Sequence, residues 1–439
     1  MATSPAAGLK KPQVYESRKI QLTSPLLHIG GAVSQLNPFE FVQSGNKVYL
    51  PNQEALAKAL LAKGGRFLDD YIATIEERQD IRPLLVQAFG KEWWTAKDEA
   101  GNRVFPEETI SHKWTDDNIT TLRPMIRNGM GQLYIPGSSI KGAIRTAIAY
   151  YLLKNADTYQ IPAATRVSAI EATLIEKLGK LNNHKKNFFD DDLFMDSLFS
   201  DFTLTYQGRH HKLLTNSENS SSNTDFLRAL KVSDSTPLIE SKAKTKQGKI
   251  ISVNLPVVGK VIISSRDSDY SAKYRASIYA EMVCHVKAEF TLTLDTEMLS
   301  WFTHNQGIKL PFSNLDELLQ ICREFAQDQW KGEHDYWEKI QNNDKDQKHQ
   351  LNFDEIRKFY MAEKCSYNLR LGWGCGMNGT TVDFLFQEET RQQIRDMCGL
   401  KAPGYEAPKS RRTIVDENGD IKFVPGWVKF KTLEAKSQI

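Results

Sequence analysis

The sequence predicts an α+β fold, and three segments predict it. From Ala280 to Asp295 the residues alternate, with Met282, Cys284, Val286, Ala288, Phe290, Leu292 and Leu294 on one side. Glu281, His285, Lys287, Glu289, Thr291 and Thr293 stand on the other. A period of two over that length is a long half-buried strand, of the kind that pairs antiparallel. From Tyr134 to Lys154 the period becomes 3.6, with Ile140, Ala143, Ile144, Ala147, Ile148, Tyr151 and Leu152 forming one helical stripe. Near the C-terminus, residues 412–415 and 421–424 flank Asp416-Glu417-Asn418-Gly419-Asp420, the composition of a hairpin turn.

The remaining elements follow in chain order. Met1 to Lys19 is rich in Pro, Ala and Lys and predicts partial disorder. A short strand is expected near Ile20 and Leu22, ended by the turn formers Pro25, Gly30 and Gly31. Residues 52–90 read as helix in pieces, divided at Gly64-Gly65 and at Pro83. A strand is expected over Leu122 to Arg127, before the turn Asn128-Gly129. The helix after Tyr134 is entered through Pro136-Gly137, with Ser138 or Ser139 placed to cap it. Polar, helix-biased sequence runs to Tyr206. Thr215 to Thr224 is a Ser/Asn-rich loop, and Lys242 to Lys249 a flexible lysine-rich segment. Helix is expected again from Asn314, with a charged linker near Asn343 to Gln350 and another helix ending near Cys365; a glycine-rich loop then precedes a last helix ending near Met397. A chain of 439 residues exceeds one ordinary core, so two or three domains are expected. The Ser/Asn loop divides it into residues 1–220 and 221–439.

The charge balance, 57 basic against 54 acidic residues for a formal +3, neither demands nor excludes nucleic acid. A chain of this balance that holds a phosphate backbone must gather its positive charge locally. No apolar run near the N-terminus serves as a signal-peptide core, and the most apolar stretch, Ile140 to Leu153, is interrupted by Lys141 and Arg145. Neither secretion nor a membrane is expected. The five cysteines (Cys284, Cys322, Cys365, Cys375, Cys398) are dispersed and form no C-x-x-C pair. That argues against a disulfide framework and a zinc site, and for a reducing cytoplasm.

Two glycine-containing loops carry most of the functional information. The first is Tyr134-Ile-Pro-Gly-Ser-Ser-Ile-Lys-Gly-Ala-Ile-Arg145. One reading is a well-capped core helix whose Gly142 permits close packing. The other is a phosphate grip, in which the unpaired N–H groups of the helix start are extended by Lys141 and Arg145, one turn apart. It is not a Walker A loop, because Ala143 stands where lysine belongs. The second is Leu371-Gly-Trp-Gly-Cys-Gly-Met-Asn-Gly379. Gly374, Gly376 and Gly379 spell G-x-G-x-x-G, but no parallel strand follows to bring an acid to a ribose. Such a loop suits a backbone that something approaches closely, with Trp373 able to stack on a base. A tight interdomain turn around a core tryptophan is the other reading.

Catalytic candidates are weaker. Asp190, Asp191, Asp192 and Asp196, among Phe189, Leu193 and Phe194, read better as a helix cap and first turn than as a metal site. His210-His211, between Arg209 and Lys212, reads as an exposed basic loop, and His28 has no sequence-visible partner. No catalytic residue, metal ligand or cofactor is expected.

Taken together, these segments resemble a known family. Leu22-Thr-Ser-Pro-Leu-Leu-His-Ile-Gly30 looks like the opening of RAMP proteins, the RRM-like building blocks of CRISPR complexes, and Tyr134 to Arg145 is similar to that family's most recognisable motif. Leu227-Arg-Ala-Leu-Lys-Val-Ser-Asp-Ser235, Pro408-Lys-Ser-Arg-Arg412 and Gly426-Trp-Val-Lys429, in that order, resemble the fifth-subunit family of type III-A Csm complexes. Gly372 to Gly379 takes the place of the RAMP C-terminal loop and departs from its small-residue version at Trp373, Cys375 and Met377.

The resemblance implies two ferredoxin-like, RRM-type domains with helical insertions. It implies a non-catalytic subunit near the crRNA 3′ end, capping the filament of the repeated RAMP subunit. It also implies support of crRNA 3′-end maturation by recruiting host nucleases, with target cleavage left to the repeated subunit. The partners it implies are crRNA, other Csm subunits and those nucleases. The implied RNA contacts are His28, Gly30, Gly137, Ser138, Ser139, Lys141, Arg145, Lys231, Gly372, Trp373, Gly374 and Gly376. Two alternatives stand beside it: a metal-independent RAMP-type endoribonuclease using His28 or His210, and a different RAMP subunit of a type III complex.

Overall fold

A computed structural model describes residues 15–180, 189–206, 209–211, 223–244, 248–345, 350–397, 402 and 404–433. The chain opens with β1 (Tyr15–Leu27), in which Ile20 and Leu22 are fully buried while Lys19 faces solvent. Tyr15 to Lys19, expected to lack fixed structure, belong to this strand because their backbones pair with a strand almost 300 residues later, from Asp295 to Thr291. A hairpin of β2 (Val42–Ser44) and β3 (Lys47–Tyr49) follows. Next come α1 (Gln53–Ala62), α2 (Gly65–Glu76) and α3 (Arg82–Phe89), with a small core of their own around Trp93 and Phe105. β4 (Ile110–Trp114) and β5 (Leu122–Arg123) return to the main sheet.

The central helix is α4 (Gly137–Lys154), followed by α5 (Val167–Lys177) and the single turn α6 (Asp196–Phe199). β6 (Phe202–Tyr206) comes next, where helix-biased sequence was expected, and then β7 (Arg209–His211), where a basic loop was expected; β6 is held by pairing with both β7 and a later strand. Then come β8 (Leu230–Val232), β9 (Ser241–Lys244), β10 (Ile250–Val253), β11 (Leu255–Arg266) and β12 (Ala272–Asp295). The lysine-rich segment expected to be flexible thus supplies the antiparallel pair β9–β10, with residues 245–247 outside the described set. The last part holds α7 (Thr296–Ser300), β13 (Phe302–His304), α8 (Leu315–Lys339), α9 (Asp354–Tyr360), β14 (Leu369–Arg370), α10 (Gly376–Thr380) and α11 (Glu388–Met397). It ends with the hairpin β15 (Arg411–Val415) and β16 (Ile421–Phe423), and β17 (Trp427–Leu433). Among the described residues no helix is long and apolar enough to cross a membrane.

Twelve strands form one mixed sheet with the path β14-β17-β1-β12-β11-β4-β3-β2; β5 and β8 pair with β12, and β15 with β11. This is the α+β class expected. Strands from both sides of residue 220 share the sheet, and residues 216–222 of the expected boundary loop lie outside the described set. The main core packs α4 and α8 against Leu22, Ala288, Phe290 and Leu292.

The alternation read along residues 280–295 holds only from Val286 onward. His285 adopts a positive φ of 52°, and the β1–β12 register runs Ser24↔Val286 and Leu26↔Cys284, with Pro25 and His285 skipped between them. One residue is skipped on each strand, so the register is kept: this is a kink shared by the two strands, and residues on either side of it alternate with opposite phase. Leu22 and Ala288 lie in the main core, whereas Leu26, Met282 and Cys284 pack on the other side with Val257, Val261 and Ile414. Glu281, expected to face solvent, is buried.

The start of α4 also differs from expectation. Pro136 is the N-cap residue, so Ser138 and Ser139 sit within the first turn and neither caps it. Gly142 has open space around it, and Gly137 is the close-packing glycine: a Cβ there would meet the Val232 carbonyl oxygen at 2.3 Å.

Candidate nucleic-acid interface

The second glycine loop is pinned to the end of β1. The Trp373 N–H donates to the His28 carbonyl (2.9 Å), and a Cβ at Gly372 (φ 88°) would lie 2.3 Å from that same oxygen. Only glycine lets the two backbones meet this closely. The approach sets the half-buried Trp373 ring edge-on to His28, with centroids 5.2 Å apart. Arg123 on β5 lies over the same ring at 4.8 Å, and Arg412 on β15 at 5.4 Å. Among the described residues, neither guanidinium has a carboxylate within ion-pair distance. Burial, and then the like charge of Arg123, hold the Arg412 guanidinium below its usual pKa range. Two unpaired guanidiniums around one indole form a site for an anion with a flat π-face beside it. Gly30 and the following Gly31 are exposed next to His28, and Gly374 and Gly376 belong to the same loop as Trp373.

His28 itself has no exposed surface. Its Nδ1–H donates to the Glu281 backbone oxygen (2.5 Å), and burial pushes its imidazole down to about 4, so it is neutral at pH 7. The Glu281 carboxylate accepts from the Ser111 hydroxyl (2.7 Å) and the Met125 N–H (3.0 Å) and forms an ion pair with Arg127. A charge so buried is stable only when its partners are this complete. The network fixes the end of β1 against β4 and the Met125 segment. His28 is thus fully enclosed and sets the position of the Trp373 ring.

The first glycine motif is turned inward. The Gly137 N–H at the start of α4 donates to the Asp234 carboxylate (2.7 Å), which takes the place of an external anion. The Lys141 amine donates to the Leu227 and Leu230 carbonyls, both at 2.8 Å. Arg145 is ion-paired with Asp225, with its guanidinium 4.0 Å from the Phe199 ring centroid. Two of the motifs read from the sequence thus clasp each other. Ser138 is exposed and Ser139 half-buried, and Lys231 projects from β8 into solvent.

The sequence-predicted residues therefore fall into three places: the Trp373 loop with His28 and Gly30, the α4 clasp, and Lys231 alone. Sequence reading missed Arg123 and Arg412 as site residues, because no spacing links a two-residue strand to a hairpin near the C-terminus. The one signal was the Lys409-Ser-Arg-Arg412 basic cluster. The side chains of Asp191, Asp192, His210 and His211 lie outside what the structure describes.

A large mixed sheet with an inward-facing helix motif and a glycine loop meeting the end of the first strand defines a RAMP-type protein. The RAMP superfamily profile matches residues 19–376, and the chain belongs to this superfamily. It is 27% identical over 152 residues to the CRISPR system protein Csm5 of Enterococcus italicus, an alignment covering 31% of this chain and 43% of that protein. The chain thus spans less than half the length of this curated relative. Its fold is similar to a chain in a cryo-EM structure of a Csm–crRNA–target RNA ternary complex of a type III-A CRISPR-Cas system, with TM-score 0.58, 20% identity, and coverage of 95% of this chain and 100% of that one. It is also similar to the crystal structure of T. onnurineus Csm5, with TM-score 0.50, 19% identity, and coverage of 94% and 100%.

Proposed function

We propose that this chain is a crRNA-binding structural subunit of a type III-A CRISPR effector complex, with Trp373, Arg123, Arg412 and the exposed Gly30 turn as its RNA contact. The observation that carries the reading is the Trp373 ring set between two guanidiniums that lack carboxylate partners. Stacking on an aromatic face and charge on a phosphate are how single strands are held. The superfamily, together with the similarity to Csm5 proteins, supports a place near the crRNA 3′ end. There the chain caps the filament of the repeated RAMP subunit and recruits host nucleases for 3′-end maturation. Residues 1–220 and 221–439 are read as two RRM-type units sharing one sheet. No catalytic role is proposed: of the two imidazoles the nuclease alternative would use, His28 is sealed and neutral, and the His210 side chain lies outside the described residues.

The test is single-stranded RNA affinity measured by fluorescence anisotropy across a salt series. Trp373→Ala is expected to weaken binding roughly tenfold, as the loss of one stacked base does. The Arg123→Gln/Arg412→Gln pair is expected to flatten the log–log salt slope by roughly 0.7 per contact. Unchanged affinity and slope in these variants, with the fold intact, would remove the site from the RNA path.

A further inference from the structure

We propose that the open side of the central sheet is a phosphodiester track, which holds the backbone of a single nucleic-acid strand without reading its bases. The proposal rests on the RNA-binding reading above and extends it to a surface that no motif marks. Residues directly opposite each other in neighbouring strands point to the same side of a sheet. On this side Lys231 of β8 stands opposite Thr293, and Thr293 opposite Ser17. Lys19 stands opposite Thr291 and Leu433, Gln21 opposite Glu289 and Lys431, and Thr23 opposite Lys287 and Lys429. Lys19, Lys231, Lys287, Lys429 and Lys431 are all exposed. Among the described residues, Lys19 has a carboxylate partner, Glu289 at 2.5 Å, and the other four have none within ion-pair distance.

The composition of this face selects its occupant. Between Ser17 and Lys429 its rows carry no aromatic ring, so there is no platform for a base; Tyr15 lies beyond them, opposite Asp295. Lysines among the Ser17, Thr23, Thr291 and Thr293 hydroxyls suit phosphate oxygens. A protein partner would need an apolar centre to its interface, and Leu433 is the face's one apolar side chain in these rows. The surface spans about 20 Å along the strands, room for several nucleotides.

Its position strengthens the case. Past the kink at His285, the side that carries Thr23 and Lys287 continues into the buried Leu26 and Cys284. Ala280, opposite Arg123, and Ile414, two residues from Arg412, lie on that same side, and Trp373 packs against them. From Thr23 to Leu26 is about 10 Å of strand. The lysine rows and the Trp373 site thus lie on the same side of one sheet, with the buried Leu26 and Cys284 between them and Glu289 as the one acid in the rows.

The experiment compares binding of an oligouridine and of an abasic phosphodiester of equal length, with the full chain, over a salt series. Replacing Lys231, Lys287, Lys429 and Lys431 with Gln is expected to weaken abasic binding roughly tenfold or more and to lower the salt slope by roughly 0.7 per lysine. The matching Arg variant should retain both, which separates charge from folding. Trp373→Ala should keep abasic binding and lose only the advantage of oligouridine. If the Gln variant melts like wild type and binds the abasic strand with unchanged affinity and slope, the track is overturned. Equal, lysine-dependent binding of polyglutamate would also overturn it, in favour of an acidic protein. If Trp373→Ala leaves oligouridine binding intact while the Gln variant loses abasic binding, the track stands and the Trp373 site falls.

Discussion

Individual residues here often do work that their type does not announce. Lys141 and Arg145 have the spacing of a phosphate grip, and both are spent on the segment from Asp225 to Ser235. Helix-start chemistry was legible in the sequence, but the anion at that helix start is Asp234, almost 100 residues away, and no local pattern reveals it. Asp383 is the clearest residue of unassigned cost. It is buried, its Oδ1 accepts from the Thr381 hydroxyl (2.9 Å), its Oδ2 has no partner, and burial pushes its carboxyl up to about 6. An acid with a raised folded-state pKa binds more protons folded than unfolded, so stability falls as pH rises from the ordinary carboxylate range to about 6 and is level above it. Asp383→Asn is therefore expected to exceed wild type by about 2 kcal/mol at neutral pH, with the gain shrinking toward pH 4. Urea denaturation at several pH values measures this.

At the scale of elements, the sequence showed what periodicity can show. The 3.6-residue stripe of α4, the start of α8 at Asn314 and the C-terminal hairpin were all legible. The kink at His285 in β12 was not, because both sides of the sheet are covered there. When Met282 and Cys284 are buried on one side and Val286 on the other, polarity keeps alternating through the exposed His285 between them. Glu281 completes the disguise, since it is polar by type and buried with Arg127. A positive φ at a non-glycine residue costs about 1–3 kcal/mol where the side chain is unsuited to it. His285→Gly is expected to be neutral or stabilising, and His285→Val to cost about 1–3 kcal/mol, read from chemical denaturation midpoints. Equal stability of the two variants would mean that the backbone at 285 is not held as described.

For the whole molecule, the C-terminal segment is part of the fold rather than an appendage. β17 pairs with β1, β15 pairs with β11, and Trp427 is fully buried. The lock is Glu333 of α8, which meets Arg370 of β14 at 3.4 Å and Arg411 of β15 at 3.2 Å and accepts from the Trp337 indole at 3.1 Å. Burial alone would raise its carboxyl, but Arg411 and Arg370 outweigh that and hold it below the usual range. A lowered folded-state pKa gives stability that is present above the ordinary carboxylate range and lost as pH falls below it. Glu333→Ala leaves two buried guanidiniums without a counter-charge, for an expected loss of about 3–5 kcal/mol and a shallower acid limb in thermal melts.

The central claim is that RNA meets this chain on one side of the sheet, at Trp373 and the Gly30 turn. Cross-linking 4-thiouridine RNA to the assembled complex, followed by peptide mass spectrometry, tests it most directly. Cross-links are expected on Trp373 and on the peptide holding Gly30 and Gly31. Cross-links confined to α1, α2 and α3, with none on those two peptides, would contradict it.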